Sequence, residues 1–390
     1  MVQRTLRAAV ARRRAQYPIL TLTGPRQSGK TTLCRDACPE LAYANLEAPD
    51  TRQFAEDDPR GFLAQFEGGA VLDEIQRVPD LLSYLQVMVD EDPTPGRFVL
   101  TGSHQLLLDA NVSQTLAGRT ALLRLLPLSL AEARAFGRSW TTNEALFRGG
   151  YPRIYDRDLE PTEMLGDYLA TYVERDVRQL SQIRDLSLFR RFVQLCAGRI
   201  GFPLNRNGLA SDLGISQSTA SEWIRLLEAS FVVVLVPPWH GNIGKRLIKS
   251  PKLYFGDVGL ACFLLGIEKP DQIATHPLRG ALFENLVVLE MLKARWHRGR
   301  PADLTFFRDS TGFEVDAVLT AGDGVTLLEA KAAATVNTRF FSGIDKLAGL
   351  LTEPVRRRVL VYDGDTTGPR SNCEVVNLRD LEATLVGDDD

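Results

Sequence analysis

Gly24-Pro25-Arg26-Gln27-Ser28-Gly29-Lys30-Thr31 fits the pattern G-x-x-x-x-G-K-[ST] without a mismatch. The run PILTLT before it reads as a strand, and TTLCRDAC after it as a helix. In that setting the glycines let the backbone wrap closely enough for its N–H groups to face phosphates. The helix N-terminus, with Thr32 in its first turn, adds the positive end of its dipole. Lys30 is expected on the β- and γ-phosphates and Thr31 on Mg²⁺, so the implied ligand pair is ATP and magnesium.

A second block supplies acids. Gly69-Ala70-Val71-Leu72-Asp73-Glu74 reads as a buried strand ending in two carboxylates. The carboxyl end of a parallel strand is where an open α/β sheet binds ligands. Asp73 suits Mg²⁺ through its water shell, and Glu74 suits orienting and deprotonating the attacking water. A surface acid pair after a core strand is the plainer reading, and the two motifs in order outweigh it. Phe98-Val99-Leu100-Thr101-Gly102-Ser103 is a third strand ending in small polar residues. Ser103, with Thr101 second, is the candidate sensor of the γ-phosphate; an ordinary turn is the alternative. Glu47, after the strand that ends near Asn45 and Leu46, reads as a loop acid rather than a metal contact.

These residues need a scaffold. Short apolar runs at Ile19–Thr23, Ala42–Leu46, Ala70–Leu72, Arg97–Thr101 and Ala121–Leu125 are separated by helical patterns. Such alternation predicts βαβ units and a parallel sheet covered by helices on both faces, the α/β fold of a P-loop NTPase. Three zones are expected: an ATPase domain over 1–140, a helical and winged-helix region over 141–240, and a further α/β domain over 241–390.

In the middle zone, Leu209 to Leu227 has the cadence of a helix-turn-helix. A short helix stops at Gly214, Ser216 caps the next, and Ala220, Ile224 and Leu227 keep helical spacing. The run FVVVLV after it suggests a wing. Gln217, Ser218, Thr219 and Ser221 then stand where a recognition helix meets a DNA groove. Residues 181–250 hold nine Lys and Arg against four Asp and Glu, in a chain of net charge −3. That local excess favours phosphate contact, with Arg206, Lys245, Arg246 and Lys249 its candidate sources. Winged helices also serve as protein-interaction or lid modules, so both readings stand.

Further on, Phe313 to Leu319 alternates like a half-buried strand, and Thr326 to Lys331 follows a glycine-rich turn at Gly322–Gly324. The hairpin would set Asp316 beside Glu329, with Lys331 two residues on along the same face. Two carboxylates and a lysine can bind Mg²⁺ and orient water. Glu284, on a helix expected over Ala281–Arg295, could lean in as a third acid. The arrangement resembles the PD-(D/E)XK nuclease fold; solvated strand acids are the alternative.

GPRQSGKTT, VLDEIQ, FVLTGS followed by QTLAGR, and RGGYP together resemble the bacterial and archaeal AAA-type ATPases (AAA_14) that carry a DUF4143 C-terminal region. The resemblance spans nearly the whole chain. It implies an ATPase of the additional-strand class with a restriction-endonuclease-like domain at its end. In such proteins an arginine often completes charge neutralisation at the γ-phosphate. Arg119 of Leu116-Ala117-Gly118-Arg119 matches it, acting in cis or across a homo-oligomer contact, with a surface ion pair as the alternative. Asp257, in Tyr254-Phe255-Gly256-Asp257-Val258-Gly259-Leu260, fits the family's F-x-D-x-G-L pattern, as a turn or as a ligand.

Composition is that of a globular chain of two or three domains: 390 residues, 44% hydrophobic and 24% charged. A net charge of −3 excludes a uniformly basic coat for nucleic acid. The apolar run Phe231 to Pro238 is too short to span a bilayer. Cys34, Cys38, Cys196, Cys262 and Cys373 are scattered and odd in number, which points to free thiols and a cytoplasmic setting. Two functions are expected to compete. One is an ATP hydrolase whose nucleotide state gates a nucleic-acid-facing half, a metal-dependent nuclease in its strongest form. The other is a non-cleaving regulatory switch with an inactive nuclease-like domain.

Overall fold

A computed structural model describes residues 2–103, 115–137, 139–173, 185–239, 248–321, 324–370 and 372–386. Lys245, Arg246 and Gly322 lie outside the described residues, as does Gln114 of the QTLAGR block.

The amino-terminal part is built on five parallel strands, β1 (Ile19–Thr23), β2 (Ala42–Asn45), β3 (Ala70–Asp73), β4 (Phe98–Gly102) and β5 (Thr120–Arg124), in the order β2-β3-β4-β1-β5. Side chains alternate across it. Ile19, Leu72, Phe98 and Leu100 join one core, while Leu20, Leu22, Val71, Val99 and Leu123 join another on the opposite face. Covered on both sides, β1, β3 and β4 are buried along their whole length, which is why their sequences read as unbroken apolar runs. This sheet with flanking helices is the P-loop NTPase fold.

A mainly helical stretch follows. Asn205 caps the helix Arg206–Leu213, which Gly214 ends in the left-handed conformation (φ 67°). The Ser216 side chain accepts from Thr219 N and starts the helix Gln217–Ala229, whose Ala220, Trp223, Ile224 and Leu227 are buried. Then come β6 (Val233–Val236) and β7 (Lys252–Phe255), which pair antiparallel. The boundary expected at 240 therefore falls between two paired strands; β7 belongs with the helices before it.

The last part is a six-stranded mixed sheet of β8 (Leu304–Arg308), β9 (Glu314–Ala321), β10 (Gly324–Lys331), β11 (Val355–Tyr362), β12 (Gly368–Arg370) and β13 (Cys373–Asn377), ordered β12-β13-β11-β10-β9-β8. The expected hairpin is β9 and β10, in register Leu328 with Ala317. Against this sheet lies the helix Arg279–Trp296, buried almost all round because it also packs on the middle region. Among the described residues no helix is long and apolar enough to cross a membrane.

Candidate functional site

The phosphate loop leaves the carboxyl end of β1 and turns into the helix Lys30–Ala37. Gly29 holds the left-handed conformation (φ 93°), and a Cβ on Gly24 would collide with the carbonyl oxygen of Leu125, just past the end of the neighbouring strand β5. Both positions therefore need glycine. Lys30 is buried, and its Nζ donates to the carbonyls of Gly24 and Pro25, each at 2.8 Å. Burial, partly offset by Glu74 and Asp73, pulls its pKa below the usual lysine value. The Ser28 hydroxyl is buried in the loop and has no hydrogen-bond partner among the described residues.

The acids converge on this loop. Asp73 accepts from Thr31 Oγ1 at 2.8 Å, from the Tyr43 hydroxyl at 2.6 Å and from Thr101 Oγ1. Glu74 sits in the left-handed region (φ 60°), a conformation that costs a non-glycine residue about 1–3 kcal/mol and concentrates at functional sites. Its Oε2 accepts from Ser103 Oγ at 2.9 Å and from Gln76 Nε2. Lys30, Thr31, Asp73, Glu74 and Ser103 thus occupy one sheet edge. A cavity of about 570 Å³ opens there, walled by Arg26, Gln27, Gly29, Lys30, Thr31, Thr32 and Glu74 among others. Glu47 pairs with Arg26 at 3.5 Å and Arg77 at 3.3 Å and also lines this cavity.

Arg119 is elsewhere. It precedes β5, whose first residue Thr120 pairs with Ile19 at the start of β1, so it lies at the amino end of the sheet, opposite the phosphate loop. Its guanidinium holds Asp90 with Nε at 2.5 Å and Nη2 at 2.8 Å. A role in cis is therefore corrected to a surface ion pair. Five residues of strand separate it from the loop, or about 16 Å at roughly 3.3 Å each.

Sequence reasoning missed the far wall of the cavity. Pro152, Arg153, Asp156 and Arg157 line it from the helix Pro152–Asp156, which begins at the proline of the RGGYP block, and from the residue after it. Asp257 explains that block. Fully buried, it accepts from Gly150 N at 2.6 Å and from Leu260 N at 3.0 Å. A Cβ on Gly149 would strike its carboxylate. So the F-x-D-x-G-L turn fixes the RGGYP loop, and Asp257 has a structural role. Arg4, also missed, donates to Ser28 O at 2.6 Å and Leu126 O at 2.7 Å, and pairs with buried Glu132 at 3.1 Å.

The carboxy-terminal candidates also meet, with additions. Ala330 N donates to Asp316 Oδ2 at 2.9 Å; Lys331 Nζ is 2.5 Å from Glu329 Oε1 and 3.9 Å from Asp316. Glu284 reaches them from the helix Arg279–Trp296. Glu314, two residues before Asp316, joins: Glu284, Glu314 and Asp316 each bring a carboxylate oxygen within 4.8 Å of the others. Burial and the nearby Asp316 push Glu284 and Glu329 above the usual carboxylate range. Among these acids stands Lys252 of β7, wholly buried, 2.7 Å from Glu284 Oε1 and in contact with Glu314. Burial works against its charge, but Tyr254, Glu284, Asp316 and Glu314 outweigh it and raise its pKa well above the usual lysine value.

The helix-turn-helix leaves Gln217 and Ser218 exposed, while Thr219 and Ser221 are half-buried. Ser218 and Thr219 hydroxyls bond Ser216 Oγ within the cap. Arg206 is half-buried and Lys249 exposed.

Residues 16–134 match the family model of an AAA domain (AAA_14), residues 139–271 that of a domain of unknown function, DUF8612, and residues 279–381 that of another, DUF4143. Uncharacterized protein Rv2008c of Mycobacterium tuberculosis is 33% identical over 377 residues, covering 94% of this chain and 82% of its own. An uncharacterized protein of Haemophilus influenzae is 24% identical over 315 residues, covering 70% and 74%. Among solved structures, the Walker-type ATPase paby2304 of Pyrococcus abyssi aligns with a TM-score of 0.45 at 14% identity, over 66% of this chain and 94% of that one. With the phosphate loop and the parallel sheet, the family-model matches and the 33% identical mycobacterial relative establish that the chain belongs to the AAA-type P-loop ATPases of the AAA_14/DUF4143 family.

Proposed function

We propose that the protein binds ATP with Mg²⁺ and hydrolyses it, and that its nucleotide state gates a nucleic-acid-facing carboxy-terminal half. The observation that supports this reading is the convergence of Lys30, Thr31, Asp73, Glu74 and Ser103 on one cavity. The donor set fits the ligand. Lys30 Nζ already rests on two carbonyls that a triphosphate would replace, and Thr31 and Asp73 oxygens lie 2.8 Å apart on the cation side. Bound magnesium supplies charge neutralisation on the phosphate oxygens. Lys30 steadies the β- and γ-phosphates, Glu74 takes the proton of the attacking water, and Ser103 and Gln76 hold the Glu74 carboxylate in place. Catalysis here is positioning and charge stabilisation, with no covalent intermediate.

Arg153 and Arg157, which wall the same cavity, are the arginines this reading gives to the nucleotide of their own chain. Arg119 acts, if on phosphate at all, on that of a neighbouring copy. Chain organisation follows as an ATPase part, a winged-helix part ending with β7, and a nuclease-like part. The five buried, free cysteines support a cytoplasmic setting.

Lys30→Ala and Glu74→Gln test the core of this. Lys30→Ala is expected to abolish nucleotide binding. Glu74→Gln is expected to keep ATP bound while turnover falls by roughly 10²–10⁴. Undiminished hydrolysis in Lys30→Ala would end the proposal. DNA contact is expected to weaken steeply with salt, read by anisotropy of a labelled duplex. The second reading, a non-cleaving switch, is favoured by one observation: a lysine already stands among the acids of the nuclease-like cluster.

A further inference from the structure

We propose that Lys252 is the resident cation of the carboxy-terminal acid cluster, its ammonium standing where a divalent ion would bridge Glu284, Glu314 and Asp316, so that this domain works without a metal. The inference rests on reading Glu284, Asp316, Glu329 and Lys331 as a nuclease-like constellation, and it deepens that reading.

Position comes first. The three carboxylates whose oxygens converge within 4.8 Å are the three that surround Lys252 Nζ: Glu284 Oε1 at 2.7 Å, Asp316 Oδ1 at 3.7 Å, and Glu314 Oε1 in direct contact. An ammonium is a compact point charge with three donors, and here three carboxylates stand around it. Lys252 is 0% exposed. A magnesium ion needs an octahedral shell of oxygens, and the buried ammonium already fills the space between these carboxylates, although Glu284 and Glu314 keep part of their surface exposed.

Delivery is the second argument. Lys252 comes from β7, outside the six-stranded sheet that carries Glu314 and Asp316. Its strand is fastened to the helix bearing Glu284, because Asn285 accepts from Phe255 N at 2.7 Å and donates to Phe255 O at 3.0 Å. Tyr254, two residues on along the same face, donates to Glu284 Oε1 at 2.6 Å and so saturates an oxygen that a metal would use. The Phe306 ring lies 5.4 Å from Nζ and closes the remaining side. Driving the ammonium out would strand a charge in apolar surroundings, which is costly once its partners are lost.

Mn²⁺ binding to the full-length, nucleotide-free protein, followed by electron paramagnetic resonance, tests this. Sites that persist in Asp316→Asn belong to the phosphate pocket and are subtracted. Wild type is expected to hold no Asp316-dependent Mn²⁺. Lys252→Met, which keeps the bulk and removes the charge, is expected to gain such a site at least roughly tenfold tighter than any in wild type. Asp316-dependent Mn²⁺ in wild type overturns the proposal and leaves the nuclease-like reading standing. A folded Lys252→Met that binds no Mn²⁺ overturns both. Should Lys252→Met not fold, wild type against Asp316→Asn decides alone: dependence on Asp316 refutes the resident lysine, and its absence upholds it.

Discussion

Arg4 donates from Nη1 to the carbonyl of Ser28 at 2.6 Å, so a residue at the start of the chain holds the phosphate loop from beneath. The same guanidinium reaches Leu126 O and Glu132, which ties the loop to the segment that leaves β5. Glu132 in turn accepts from Thr5 N at 2.8 Å and Ser129 N at 3.0 Å.

Arg4→Ala would leave Glu132 buried without its ion-pair partner. Breaking a buried pair from one side costs roughly 3–5 kcal/mol, so a lower melting temperature is expected, together with weaker nucleotide binding. Differential scanning fluorimetry with and without ATP reads both. Arg4→Lys, which cannot reach three acceptors at once, should fall between; wild-type stability in Arg4→Ala would contradict the role given to this residue.

Arg153→Ala and Arg157→Ala probe the cavity wall that the motifs did not disclose. Each removes one exposed positive charge from the wall of the cavity. ATP affinity is expected to drop several-fold for each, with ADP affected less than ATP. Titration of a fluorescent nucleotide checks it, and equal losses for ADP and ATP would detach these arginines from the γ-phosphate.

Asp257→Ala removes the acceptor of two buried backbone N–H groups and the cap of the helix Val258–Leu264. An unsatisfied buried donor costs roughly 1–3 kcal/mol and a lost cap about 1, so global stability is expected to fall by about 2–4 kcal/mol in urea titrations. Because Gly150 precedes Pro152 and Arg153, nucleotide affinity should fall with it. Unchanged affinity in the folded variant would show the RGGYP loop holding its shape unaided.

His297 makes stability depend on pH. Leu126 N donates to its Nε2 at 3.2 Å, which sets the neutral tautomer with the proton on Nδ1. Burial, opposed by Glu132, pulls its pKa down to about 3. An unfolded histidine titrates near about 6.5, so on acidification the unfolded chain takes up the proton first. Its contribution is complete above about 6.5 and is lost as pH falls toward about 3, at up to about 1.4 kcal/mol per pH unit. His297→Gln, which keeps an acceptor for Leu126 N, should flatten this slope between pH 6.5 and 5, roughly the upper half of that window. Parallel slopes in the two proteins would assign the effect to other groups.

How much of this was legible follows from range along the chain. Lys30, Thr31, Asp73, Glu74 and Ser103 could be read because each ends or begins a strand–turn unit whose local pattern fixes its place. The same rule, applied to Arg119, tells against a role in cis: it precedes its strand, and parallel strands bring only their carboxyl ends to the ligand. Glu314 was within reach too, since it shares a strand face with Asp316. Arg4, Arg153 and Lys252 were not. Their partners lie between 24 and 128 residues away for Arg4 and between 32 and 64 for Lys252, and no periodicity encodes such pairings. A lysine inside the apolar run KLYF was the one visible hint.

The helix Arg279–Trp296 touches both ends of the molecule's chemistry. Glu284 stands near its start, and Glu290, Lys293 and His297 bind Leu130 N, Leu128 O and Leu126 N in succession along the chain that leads back to the phosphate loop. Eighteen helical residues make a strut of about 27 Å. A strut does not stretch. On the proposed function, a nucleotide that shifted the Leu126–Leu130 rail would press on the same rigid helix that carries Glu284.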